Sequence, residues 1–527
     1  MRSERVVYCV VSGLLALILS FRAVTYLPYF DHTTFHGASL WLDFFVVLSF
    51  HVILFLLAYF YELFYGTLSI LFFYIFFLLS LYFLSLINAL GIHAQERLWL
   101  GTCVIGFFIP LVSQIRKKWA FKIRPPQFSW EDGLIFLWGI NAVFLFSRLN
   151  FTLQRAIYMD EGSFWFVAAR DMLTHSLQWV HTASYAGAGL HPLGVPFLAA
   201  LPVKFFGLPD PRAIFFFPVS IILCLLIFLY RIKSQSWTFI FFLCALSGVF
   251  YNRSWLAYFL YGFVYGEGIS AMIFLVMTYE WLRLLQNKLL SDAVTLIFCL
   301  GIGLMALTKS PLASIVIPFS ILFLCSVFYA RKAVNPRASF KFLVFALLLA
   351  FCPMILWRMT VMIWHVPFIK VAFSFNELLG RCLHPHLWMF KNMLGLMWEN
   401  SNNLFYYGFM AILSYLCFSR KILYGFPAVI LFTGVFLYYA YFYNYGTDTG
   451  DFGSALRYFM PVWLVFFYLG GLGFENIMRR IEQGQWKVGI KIAVQSILCL
   501  FLVWGLFEIK TAEKILTATH MCGIKAL

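Results

Sequence analysis

Charge is what this chain has least of. Asp, Glu, Lys and Arg together make up 11% of its 527 residues, whereas a water-soluble fold carries roughly a quarter of its residues charged. That shortage excludes an ordinary soluble globular protein. The 63% of hydrophobic residues, with 64 Phe and 17 Trp, points to lipid as the solvent for most of the chain. Apolar runs of about 20 residues, the length that crosses a bilayer as a helix, recur from one end to the other. Backbone polar groups in lipid must be satisfied within the segment itself. The expected fold is therefore all-α, a polytopic integral membrane protein with about 15 transmembrane helices, roughly 13 to 16.

Other absences narrow the reading. The first apolar run, Val6 to Tyr29, follows Arg2 and Arg5 as in a signal peptide, but no convincing small-residue cleavage site ends it, so it is expected to remain as a first helix. There is no clear internal repeat, low-complexity tract or soluble domain. Of the 11 cysteines, only Cys382 and Cys522 fall in loops and the others sit inside apolar runs, which favours scattered membrane thiols over a disulfide framework. A net charge of +16 would suit a nucleic-acid partner in a soluble protein. Here Lys and Arg collect in the loops that set membrane orientation, and no nucleic acid is expected.

Spans are expected near 6–28, 39–64, 67–91, 99–113, 132–149, 213–232, 237–251, 262–284, 293–308, 311–329, 342–362, 403–418, 424–443, 458–476 and 488–508. With a cytoplasmic N-terminus, alternation puts the basic stretches Arg116–Arg124, Arg331–Lys341, Ser419–Lys421 and Arg479–Lys487 together on the cytoplasmic side. The same alternation sends two long loops, about 150–212 and 364–402, to the outer face. Within the first, His191–Gly207 is too short and too broken by proline for a span, and suits a short interfacial or re-entrant segment. The basic segment near 116–126 divides the chain into an N-terminal four-span extension, 1–125, and a larger unit, 126–527.

The outer loop opens with "YMDEGSFWFVAARDML", Tyr158 to Leu173. An ionised carboxylate at the centre of a span costs about 2.5–3.5 kcal/mol on insertion scales, so an adjacent pair of acids belongs at the interface. Asp160 also precedes an expected short helix, whose first N–H groups it would cap. This stretch, followed by "HPLGVPFLAALPVKFFG", resembles the first outer loop of the GT-C superfamily of membrane glycosyltransferases. The likeness is to the branch of protein O-mannosyltransferases and lipid A aminoarabinose transferases. Two later stretches resemble further elements of that family: "GLMALTKSP", Gly303 to Pro311, and "LRYFMPVW", Leu456 to Trp463. "YGEGISAMIF" is similar to a segment in which a second acid, here Glu267, opens a span. The pattern runs from about Asp132 to the C-terminus and leaves out the first four spans. It departs from the family where a Lys-Pro-Pro element is replaced by His191, Pro192 and Leu193.

The resemblance implies a GT-C-like fold with outer loops holding short interfacial helices. It also implies a glycosyltransferase that moves a sugar from a polyprenyl-phosphate-linked donor to a protein, lipid or glycan acceptor. Such a reaction needs a carboxylate to take the acceptor's proton, for which Asp160 is the candidate with Glu161 beside it. The departing lipid phosphate needs cations, and Arg457 comes first, with Lys309 and His191 after it. A divalent metal near Asp160 and Glu267 is compatible with the residues but not required by them. Membrane lipid is the surrounding partner, and a bacterial inner membrane with the site on the periplasmic face is the expected location.

The candidates other than His191 each have a structural alternative. Asp160 and Glu161 suit a helix cap or an ion pair with Arg155. Glu267 suits the positive end of a helix dipole, Lys309 the end of a span, and Arg457 a pair with Asp448 or Asp451. Asp43 and His51 read as a buried polar pair, and His365, His384 and His386 lack a metal-ligand spacing. Rival functions are a transporter or lipid flippase, a polysaccharide polymerase or ligase, and a non-catalytic membrane assembly protein. Transport is disfavoured because ionisable residues crowd the span ends on one side, and charges within spans, such as Arg22 and Arg358, are few.

Overall fold

The computed structural model describes residues 2–25, 127–151, 216–251, 266–287 and 336–363 continuously, most of 464–479, and single positions among 45–59, 299–303 and 489–496. Six helices are described in full: α1 (Arg2–Thr25), α2 (Trp130–Phe151), α3 (Phe216–Ile232), α4 (Ser236–Tyr251), α5 (Gly266–Asn287) and α6 (Pro336–Ile363). Each overlies one of the apolar runs named above. The spans expected at 67–91, 99–113, 311–329, 403–418 and 424–443 lie outside the described residues, as do the basic segment at 116–126, Asp43, His51, Cys382 and Cys522. The two long loops do too, apart from Asn150 and Phe151, which end α2.

Helix ends follow local chemistry. α6 starts at Pro336, six residues ahead of the expected span, because proline lacks only an N–H that a first turn leaves unused. α2 starts behind Ser129, whose backbone carbonyl accepts from the N–H of Asp132 at 3.1 Å. A turn through Lys233–Gln235 joins α3 to α4, held by the Gln235 N–H on the Ile232 carbonyl at 2.8 Å. Among the described residues α1 alone contains an 18-residue window long and apolar enough to cross a membrane, Ser3–Ser20. The apolar segments Ile221–Ile232, Ser236–Leu246, Ser270–Glu280 and Phe340–Pro353 are shorter.

Side-chain contacts set helix directions. Ser3 stands beside Asp132 and Val11 beside Gly139, so α1 and α2 run parallel. A Cβ on Gly139 would lie 2.8 Å from Val11 Cγ2, so glycine is what lets these helices close up. Lys233 meets Asp132 and Leu226 meets Gly139, which makes α3 antiparallel to α2. α4 packs antiparallel on the helical residues at 464–479, with Trp237 against Phe474 at 5.9 Å and Phe242 against Phe467 at 6.4 Å between ring centroids. Tyr8 ties α1 to the helical residues near 55, its hydroxyl donating to the Phe55 carbonyl at 3.0 Å.

The core lies where α3, α4, α5 and residues 464–479 converge. Phe228 contacts Phe242 at 5.2 Å, and both Tyr279 and Tyr468 at 5.5 Å. The two tyrosine contacts are near edge-to-face, the favoured aromatic geometry. α6 is distributed differently. Its small residues Ala346 and Ala350 are buried at 0% and 2% exposure, while Phe340 and Leu348 each show 59%.

Candidate functional site

Asp160, Glu161, His191, Lys309 and Arg457 lie outside the described residues, as do Arg155, Asp448, Asp451 and the loop histidines. Glu267 is the second residue of α5, at the positive end of the helix dipole. Of the Gly303–Pro311 stretch, Gly303 is described, and it is helical. A Cβ there would stand 2.5 Å from Pro353 Cγ and 2.7 Å from the Ala350 carbonyl oxygen. The first glycine of that stretch is thus a point of close contact with α6.

The charged arrangement that is described was not singled out from sequence. It gathers at one end of the bundle, where α1, α2 and α4 begin and where α3 and residues 464–479 finish. Asp132 is 1% exposed. Its Oδ2 accepts from the Ser129 backbone N–H at 2.7 Å and from the Ser129 hydroxyl at 2.9 Å, and its Oδ1 accepts from Lys233 Nζ at 2.6 Å. The acid reaches back to the N–H of the serine three residues before it, which is one half of a capping box; the Asp132 N–H goes to the Ser129 carbonyl instead of the hydroxyl. Lys233 Nζ also sits 5.7 Å from the Tyr230 ring centroid.

Glu475 repeats the pattern between helices. Its Oε2 accepts from the Thr238 backbone N–H at 2.9 Å and from the Thr238 hydroxyl at 3.0 Å. Thr238 is in the first turn of α4, where the N–H has no intrahelical acceptor. The Glu475 Oε1 accepts from Arg479 Nε at 3.1 Å and lies 3.0 Å from its Nη2. A carboxylate from one helix therefore caps another and carries its own cation.

These two sites are tethers. A carboxylate offers about four acceptor positions, and Asp132 spends three on Ser129 and Lys233 with Ser3 alongside. Little capacity is left for a substrate proton. Among the described residues no group of three or more His, Cys, Asp or Glu is arranged to hold a metal, and Cys9, Cys244, Cys299 and Cys352 are thiols. The serine–acid pair was legible as "SWED", Ser129 to Asp132, directly ahead of an apolar run. The lysine was not, because it lies 101 residues further along.

Comparison with protein-family models, curated proteins and solved structures finds no match to this chain.

Proposed function

We propose that this chain is a polytopic membrane glycosyltransferase of the GT-C type, moving a sugar from a polyprenyl-phosphate carrier to an acceptor at the outer face of the membrane. The observation that carries this reading is the ordered series Tyr158–Leu173, Gly303–Pro311 and Leu456–Trp463, with Glu267 opening a helix between the first two. In this mechanism Asp160 takes the proton of the acceptor hydroxyl as that oxygen attacks the anomeric carbon, and Glu161 supports it. Arg457 meets the phosphate as its bond to the sugar breaks, with Lys309 and His191 adding positive charge.

Two features of the described helices support a membrane setting for this chemistry. On α1, Val6, Val10 and Leu17 face outward while Val7, Val11 and Leu15 are buried, so even the solvent-facing side is apolar. The ends tied together by Asp132–Lys233 and Glu475–Arg479 are also ends that alternation assigns to the cytoplasmic side. This assignment leaves the opposite face for the acid pair. A catalyst whose donor never leaves the bilayer needs its charged loops at the outer ends of spans, and that is where the quoted stretches fall in the alternation.

The test is transfer from radiolabelled polyprenyl-phosphate sugars in membranes holding the wild-type chain or Asp160→Asn at matched protein level. Label should pass to an acceptor in the wild type and fall by about 100-fold or more in the variant. Equal transfer by both chains removes Asp160 from the mechanism. No transfer by the wild type from any donor overturns the glycosyltransferase reading in favour of transport or assembly.

A further inference from the structure

We infer that the outward face of α6 is a lipid-contact surface, lying against the acyl chains of the bilayer across nearly its whole hydrocarbon thickness. The inference rests on the membrane reading proposed above and adds which helix, and which side of it, meets lipid.

The residues divide α6 into two opposed faces. At about 100° per residue, the exposed Phe340, Val344, Phe345, Leu348, Ile355 and Met359 centre on one direction, and the buried Ala346, Ala350 and Pro353 centre about 180° away. Lys341 apart, the exposed side chains on one side are bulky and apolar, and the fully buried ones on the other are Ala346, Ala350 and Pro353, with Phe342 and Leu343 half-buried beside them. A helix on a water-soluble protein has the reverse arrangement, with polar residues out and large apolar residues in. Small residues turned inward are how membrane helices bring their backbones together where lipid offers no hydrophobic drive. Gly303 supplies the partner side of that contact, pressed on Ala350 and Pro353.

Length agrees with a bilayer as the occupant, and the charged residues of the 340–359 run, Lys341 and Arg358, stand next to its two ends. From Phe340 to Met359, at about 1.5 Å per residue, the face covers about 28 Å, against about 30 Å for a hydrocarbon core. Lys341 is exposed at the near edge of this face, where a long cationic side chain reaches the headgroups while its methylenes stay in apolar surroundings. Pro353, which interrupts helical hydrogen bonding, lies on the buried side, and irregular membrane backbone is tolerated where protein covers it. A second copy of the chain fits less well, since close pairing between membrane helices calls for small residues at the contact. This face offers Phe340, Phe345 and Leu348.

The experiment places p-benzoylphenylalanine singly at position 340, 345 or 348 of the full-length chain, reconstitutes it in vesicles of radiolabelled phosphatidylcholine and irradiates. Position 239, a Phe at 0% exposure on α4, serves as the buried control. Flotation with the vesicles confirms that each variant has inserted. The expected result is phospholipid label on the protein band at all three outward positions, at least tenfold above position 239. A covalent band of doubled mass, or label no greater than at position 239, overturns the inference while the membrane reading stands. Failure of the wild-type chain to float with the vesicles overturns both.

Discussion

Replacing Gly303 with alanine should destabilise the protein, although the same exchange at Gly13 should not. In a helix interior, alanine is favoured over glycine by about 0.8–1.0 kcal/mol. At Gly303 that gain is opposed by contact. The new Cβ would stand 2.5 Å from Pro353 Cγ, 2.7 Å from Pro353 Cδ and 2.7 Å from the Ala350 carbonyl oxygen. Ordinary carbon contacts begin near 3.5 Å, so the two helices must part by about 1 Å. Overpacking of this kind costs about 1–3 kcal/mol and outweighs the propensity gain. Gly13 on α1 provides the contrast, because nothing lies within 4 Å of a Cβ built there. Unfolding in mixed micelles of graded SDS content should show Gly303→Ala less stable than wild type and Gly13→Ala equal or more stable. Pro353→Ala removes two of the three close contacts and should recover part of the loss when combined with Gly303→Ala. A Gly303→Ala protein as stable as Gly13→Ala would refute the packing argument.

The remaining predictions concern the tethers and the phosphate site. Asp132→Ala removes both a helix cap and the partner of Lys233. It should cost about 2–3 kcal/mol, below the about 3–5 typical when a buried pair is broken, because Lys233 retains 29% side-chain exposure. Adding Lys233→Met should recover part of that loss in the same unfolding assay; strictly additive losses would mean that the two side chains do not interact. Glu475→Ala uncaps Thr238 and should cost about 1–2 kcal/mol, read as faster hydrogen exchange at the first turn of α4; unchanged exchange there would count against the cap. In the sugar-transfer assay, Arg457→Gln should reduce transfer by about 100-fold or more, as for loss of one transition-state donor. Arg457→Lys should be intermediate, since lysine keeps the charge but loses the bidentate geometry; full activity in Arg457→Gln would remove that residue from the phosphate site.

The helices were legible in the sequence because a helix satisfies its backbone locally, residue to residue along one apolar run. Ser129 and Asp132 were legible for the same reason, as a serine with an acid three positions on. Asp160, Glu161, His191, Lys309 and Arg457 rest on resemblance in sequence, and Glu267 adds to it a place at the first turn of α5.

What sequence alone determined is the helical class and the position of the described helices, since both depend on the length of apolar runs and on turn chemistry within a few residues. Tertiary structure decided the rest: that Lys233 answers Asp132, that Glu475 caps Thr238, that Gly303 is the close contact of α6, and that Phe340 and Leu348 face outward. Those outcomes depend on which helix lies beside which. That choice is made by packing between segments separated by tens to hundreds of residues, and no local pattern records it.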